Sequence, residues 1–179
     1  MDDETLMRRV AGGDASSFER LVKAHQQRLG RAAFAILGDR CAAQDAVQET
    51  MIRVWRNRAG YRRQSSLAVY LHKILRNICI DILRERSSKP AVAWDVEAVG
   101  EIPVAGGAAA CELREALAWG LAQLPEEQRT IVALSEYEGF TYQEIAEIVG
   151  CPYGTVASRK YAAMDALRRS LRQWLNGEE

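Results

Sequence analysis

The sequence predicts an all-α fold of two small helical domains joined by a flexible linker, the C-terminal one containing a helix-turn-helix. Three observations predict it. Apolar residues recur at i, i+3, i+4 and i+7 over long stretches, and no period-two alternation is sustained. Residues 88–110 lack periodicity and are rich in Ala, Gly, Val and Pro, with Pro90, Pro103 and the run GGAAA. A structureless loop of that length is unusual inside one compact domain, so it reads as a linker between domains at 1–87 and 111–179. Residues 141–169 read as a short helix, a Gly-containing turn and a longer basic helix.

The first helix is expected to start at a capping box made by Ser16 and Glu19, followed by the stripe Phe18, Leu21, Val22, His25, Leu29, Ala32, Ala33 and Ile36 up to Gly38. His25 on that stripe reads as a half-buried packing residue rather than a ligand. A helix over 41–56 turns Val47, Met51, Val54 and Trp55 inward, while Asp45, Gln48, Glu49 and Arg53 share another face. The run NRAGYRRQSS, 57–66, breaks the pattern as a basic loop. A helix over 67–86 buries Leu67, Leu71, Ile74, Leu75, Ile78 and Ile82, and shows His72, Lys73, Arg76 and Arg84 elsewhere.

Beyond the linker the spacing predicts a helix over 111–123, a stop at Leu124-Pro125, a helix over 126–138 ended by Gly139, and then the helix-turn-helix. Thr141 and Glu144 make a capping box there, and Tyr142, Ile145, Ala146 and Val149 share one face. Gly150 sits where a left-handed stop belongs, and Pro152 suits the first turn of the next helix. That second helix carries Thr155, Ser158, Arg159 and Lys160 near its N-terminal end, the end from which such helices reach base edges and phosphates. A helical hairpin with a solvated basic face is the other reading of this segment alone.

The 48% apolar fraction is that of a globular chain rather than a disordered one. No apolar run is long enough to span a bilayer, and the start MDDETLMRR has no apolar core of a signal peptide, so the chain is expected to stay in the cytoplasm without membrane insertion. Cys41, Cys79, Cys111 and Cys151 form no CxxC pair, and with only His25 and His72 as companions they give no metal site. No Ser/His/Asp set, phosphate-binding Gly loop or pocket-like carboxylate pair is present, so neither a catalytic residue nor a cofactor is expected.

The formal net charge is +0, but it is segregated. Residues 53–89 hold ten Lys/Arg against Asp81 and Glu85, residues 90–149 hold two basic against eleven acidic, and residues 150–175 hold five basic against Asp165. Two basic blocks around an acidic middle suit a polyanion held at two places.

Two sets of residues then resemble one family. DAVQETMIRVW (45–55) followed by YLHKILRNICIDILRER (70–86) resembles the second conserved region of bacterial sigma factors, and LPEEQRTIVALSEYEGFTYQEIAEIVGCPYGTVASR (124–159) resembles their fourth. A short chain with only a linker between the two modules is similar to the extracytoplasmic-function (ECF) group. The resemblance implies that Asp45, Gln48, Glu49, Arg53 and Trp55 dock on a coiled coil of core RNA polymerase. It implies that Arg58, Tyr61, Arg62, Arg63 and Gln64 of the loop, with Tyr70, Lys73, Arg76 and Asn77 of the following helix, hold the −10 promoter element as it melts. Cations that track a single strand and a platform for an unstacked base suit that task, although Tyr61 and Tyr70 equally suit core packing. It further implies that Thr155, Ser158, Arg159 and Lys160 read the −35 element in duplex form, and that an anti-sigma factor, membrane-anchored in some cases, covers these faces. Tyr70 stands where the family commonly has Trp. Ala157 stands where relatives are basic, and Ala162, Ala163 and Met164 replace an Arg-Ala-Arg triplet, which weakens phosphate attraction. A stand-alone helix-turn-helix regulator is the competing reading, and it leaves the first half of the chain without a task.

Overall fold

The computed structural model describes residues 2–62, 65–86 and 108–176, leaving out the side chains of 108–112, 114, 175 and 176. Every regular element among them is helical. Helix α1, Asp3–Ala11, was not expected from the sequence. The Asp2 carboxylate accepts the Thr5 N–H at 3.0 Å, acidic residues fill its first turn and basic ones its last, and Leu6, Met7 and Val10 are buried.

Helix α2, Ala15–Leu37, is capped by Asp14, which corrects the expected Ser16–Glu19 box. Asp14 accepts the backbone N–H groups of Ser16 and Ser17 at 2.9 and 3.2 Å, and both serine hydroxyls at 2.8 Å. Those hydrogen bonds, the Ser16 side chain foremost, lower its pKa to about 2. A carboxylate with four donors outcompetes a hydroxyl cap, and Glu19 instead pairs with Lys23 at 2.7 Å. Helix α3, Arg40–Arg56, starts at Asp39, whose carboxylate caps Ala42 and also holds Arg86 at 2.8 Å. A short 3-10 turn, Arg58–Gly60, leads toward α4, Leu67–Arg86, which has the expected bounds. Met7, Leu21, Leu29, Ile36, Leu71 and Leu75 pack the core of this four-helix module.

Helix α5, Ala108–Gln123, opens within the last three residues of the expected linker; residues 88–107 lie outside the described ones. Helix α6, Glu126–Val132, passes into a π-helical turn, Ala133–Tyr137, so the expected single helix is widened by one residue in its last turn. Helix α7, Tyr142–Val149, has the Thr141–Glu144 box in both directions, at 3.3 Å from Glu144 N–H to the Thr141 hydroxyl and 2.9 Å from Thr141 N–H to the Glu144 carboxylate. Gly150 stops it at φ +74°, a conformation that costs a residue with a Cβ, and α8, Tyr153–Asn176, follows at once. Leu121, Leu124, Val132, Ala163 and Leu167 tie α5, α6 and α8 together.

The two modules pack on each other. Val69 of α4 is buried with Ile131, Leu134, Phe140, Ile145, Ile148 and Val156 of the C-terminal module. Beside this seam the Glu138 carboxylate is buried near Arg28, Arg31 and His72. His72 was expected away from the core, yet it is 1% exposed, with Nδ1 2.8 Å from the Ala68 carbonyl and its ring 4.8 Å from that of Phe140. The second module covers that face of α4, a contact that periodicity along one helix does not record. Among the described residues no helix is long and apolar enough to cross a membrane.

Candidate polymerase and nucleic-acid interfaces

On α3, Asp45 and Gln48 are exposed, and Glu49 is half-buried and accepts from Arg53 Nε at 2.8 Å. Ile52, exposed and four residues beyond Gln48, lies on the same face. Sequence reasoning missed it because only polar members were sought there; its helical spacing was the available signal. Trp55 turns partly inward, its ring 5.0 Å from that of Phe18, and so anchors the end of the helix.

After α3, Arg58 folds back. Its guanidinium lies 4.3 Å over the Trp55 ring and donates to the Trp55 carbonyl at 2.8 Å. Tyr61 and Tyr70 meet edge to face at 5.1 Å, both half-buried, and the Tyr70 hydroxyl pKa is raised by burial. They line a cleft of about 650 Å³ with Arg56, Asn57, Gly60, Arg62, Ser65 and Lys73, and with Glu147 of α7. Arg56, Asn57 and Glu147 were not foreseen; the last is brought in only by the packing of the modules. Asn77 is exposed and accepts from Arg76 at 3.2 Å. Arg63 and Gln64 lie outside the described residues. An aromatic pair in a cleft rimmed by cations can seat an unstacked base and a strand's phosphates.

On α8 the four expected residues part ways. Ser158 is exposed, its hydroxyl donating to the Thr155 carbonyl at 3.1 Å, and Thr155 is half-buried. Arg159 pairs with Glu127 of α6 at 2.7 Å. Lys160, expected to point outward, is instead 6% exposed and donates to Ser135 and Glu136 of the π-helical turn. It lies on the same side of α8 as Val156, Ala163 and Leu167, so the helix turns it toward the core. Met164, one of the two positions where the expected triplet is basic, packs against the α5–α6–α8 core beside the buried Ala163, whereas the other, Ala162, is exposed.

Residues 21–89 match the family model for Sigma-70 region 2, and residues 114–167 match that for Sigma-70, region 4. The "RNA polymerase sigma-H factor" of Pseudomonas aeruginosa is 31% identical over 97% of this chain and 95% of its own. The "ECF RNA polymerase sigma factor SigM" of Mycobacterium tuberculosis is 33% identical over 95% of this chain and 84% of its own. The chain belongs to the ECF sigma factors of RNA polymerase. The "ECF RNA polymerase sigma-E factor" of Escherichia coli is 31% identical over 93% of each chain. The fold is shared with CnrH, solved in complex with the cytosolic domain of CnrY, at a TM-score of 0.71 and 21% identity over 99% of each chain. It is shared too with RpoE of Bartonella quintana, solved with the anti-sigma factor NepR, at 0.68 and 24% identity over 88% of this chain and 98% of that one. In this ECF sigma factor the region 2 match takes in the α3 face and the tyrosine cleft, and the region 4 match takes in the helix-turn-helix.

Proposed function

We propose that this ECF sigma factor acts as two reading heads on one promoter. Residues 1–87 dock on core RNA polymerase through Asp45, Gln48, Glu49, Ile52 and Arg53 and hold the opened −10 strand in the Tyr61–Tyr70 cleft. Residues 111–179 read the −35 duplex through α8. The observation that carries this reading is the tyrosine cleft, with Arg56, Arg62 and Lys73 around it, in the segment that matches region 2.

The packed modules do not serve both tasks at once. Elements about 25 base pairs apart are separated by roughly 85 Å at 3.4 Å per pair. A compact chain of this length is roughly 40 Å across. Engaging a promoter therefore separates the modules, and the segment 88–107, extending at most about 70 Å, is long enough to let them part. In this reading an anti-sigma factor holds the packed arrangement: of two proteins that share the fold, RpoE of Bartonella quintana was solved with the anti-sigma factor NepR and CnrH with the cytosolic domain of CnrY. That partner is membrane-anchored or soluble, whereas this chain works in the cytoplasm, inserts in no membrane, is no enzyme and takes no cofactor.

Co-purification with core polymerase tests the docking face. Asp45→Lys together with Glu49→Lys is expected to abolish it with the helical circular dichroism unchanged, and undiminished binding would refute the assignment.

A further inference from the structure

The outward side of α8 is not the basic surface that its place in a helix-turn-helix leads one to expect. From Tyr153 to Ala162 the exposed residues are Tyr153, Gly154, Ser158, Tyr161 and Ala162, none of them charged. The two cations of this stretch are spent inside the module, Arg159 on Glu127 and Lys160 on Ser135 and Glu136. Tyr161, by contrast, is 76% exposed in the middle of a helix, with small side chains, Ala157, Ser158 and Ala162, three or four residues before it or beside it. On its other side Met164 and Asp165, three and four residues further on, are half-buried, and Asp165 is held by Arg169 at 3.1 Å.

Resting on the reading of α8 as the −35 helix, we infer that Tyr161 is a specificity-determining residue, reading the −35 duplex by apolar contact with a thymine 5-methyl group. The major groove presents that methyl beside the base-edge donors and acceptors, and it is the feature an uncharged ring distinguishes best. DNA, rather than an apolar groove on a protein, is favoured by what lies further along the same stripe: past Asp165, whose charge Arg169 offsets at 3.1 Å, Arg168 and Arg172 are exposed seven and eleven residues on from Tyr161, roughly 10 and 16 Å along the axis. An aromatic reader followed by cations suits a base edge followed by phosphates. The small neighbours let the backbone approach the groove closely enough for the ring to enter.

The test uses holoenzyme made from the full chain and core polymerase. A promoter is first selected by transcription from a library randomised at both elements, and each −35 thymine is then replaced singly by deoxyuridine, which removes the methyl and keeps the pairing. Wild type is expected to lose about fourfold in initiation at one or two of these positions, the value of one buried methyl. Tyr161→Ala should initiate equally on the thymine and deoxyuridine templates, and Tyr161→Phe should keep the discrimination. Because the side chain is so exposed, Tyr161→Ala leaves the fold intact, which circular dichroism checks. Indifference of wild type to every deoxyuridine, or an unchanged ratio in Tyr161→Ala, overturns the inference while leaving the sigma-factor function standing. A chain that directs transcription from no library member overturns that function instead.

Discussion

Arg28 and Glu138, 110 residues apart, join the two modules: Arg28 Nε donates to the Glu138 carboxylate at 2.9 Å and Nη2 to its backbone carbonyl at 3.0 Å. The Glu138 side chain is 0% exposed and the Arg28 side chain 41%. The asymmetry decides which partner is costlier to lose. Arg28→Ala strands a buried carboxylate, whereas Glu138→Gln leaves a guanidinium that water can reach. Stranding a buried charge costs about 3–5 kcal/mol, and Arg31 at 3.8 Å offsets part of that, so about 2 kcal/mol is expected for Arg28→Ala and less for Glu138→Gln. Denaturant unfolding measures the cost. Solution scattering should show a larger radius of gyration for Arg28→Ala while helicity is retained; unchanged stability and radius would mean that this tie does not hold the modules.

Glu147 lines the tyrosine cleft from the other module, and Arg62 and Lys73 line it too. A carboxylate there repels a DNA strand and is itself attracted by the cations the strand needs. Glu147→Gln is expected to tighten binding of a fluorescent single-stranded oligonucleotide to the free chain about threefold at low salt, with the gain fading at high salt. Equal anisotropy titrations for the two proteins would remove Glu147 from the cleft's electrostatics.

Asp14 gives the start of α2 a pH dependence. Its pKa falls from 3.8 to about 2 on folding, so its contribution is fully present above pH 4 and is lost as pH drops through about 2. Asn at the same position caps without titrating. Asp14→Asn and wild type should therefore differ in thermal midpoint near pH 6 and converge toward pH 2. A constant gap across that range would contradict the assignment.

Cys79 is buried, and burial raises its pKa to about 12, while Cys41 is exposed. Only a thiolate reacts readily, so Cys41 should be labelled by a disulfide reagent at pH 8 and Cys79 only after unfolding. Mass mapping after brief labelling decides it, and early modification of Cys79 would show that the α1–α4 core opens more readily than its packing indicates.

The helix-turn-helix and the bounds of α4 were legible because their signals are local: a capping box, a left-handed glycine, and an apolar stripe that ends where the basic residues begin. Helix α1 is equally local, with Asp2 before Leu6, Met7 and Val10, but at nine residues it is too short for its apolar stripe to stand out along the chain. The displaced cap of α2 was a choice between two adjacent local signals, in which the carboxylate of Asp14 is the stronger acceptor. What the sequence hid was tertiary. Nothing along the chain says that His72 will meet Glu138 and Phe140, that Lys160 will turn toward the π-helical turn, or that Arg159 will find Glu127. The α3 face and the tyrosine cleft owed their legibility to family resemblance as much as to spacing, and Ile52 and Glu147 escaped both.

Run-off transcription with purified core polymerase addresses the promoter-directing role without intermediaries. On a promoter selected from the randomised library, core polymerase alone should give no specific transcript, and adding this chain should give one defined start. Tyr61→Ala with Asn77→Ala should impair the duplex template strongly and much less one whose −10 element is already mismatched open. A chain that adds no defined start to core polymerase, with either template, would contradict the account.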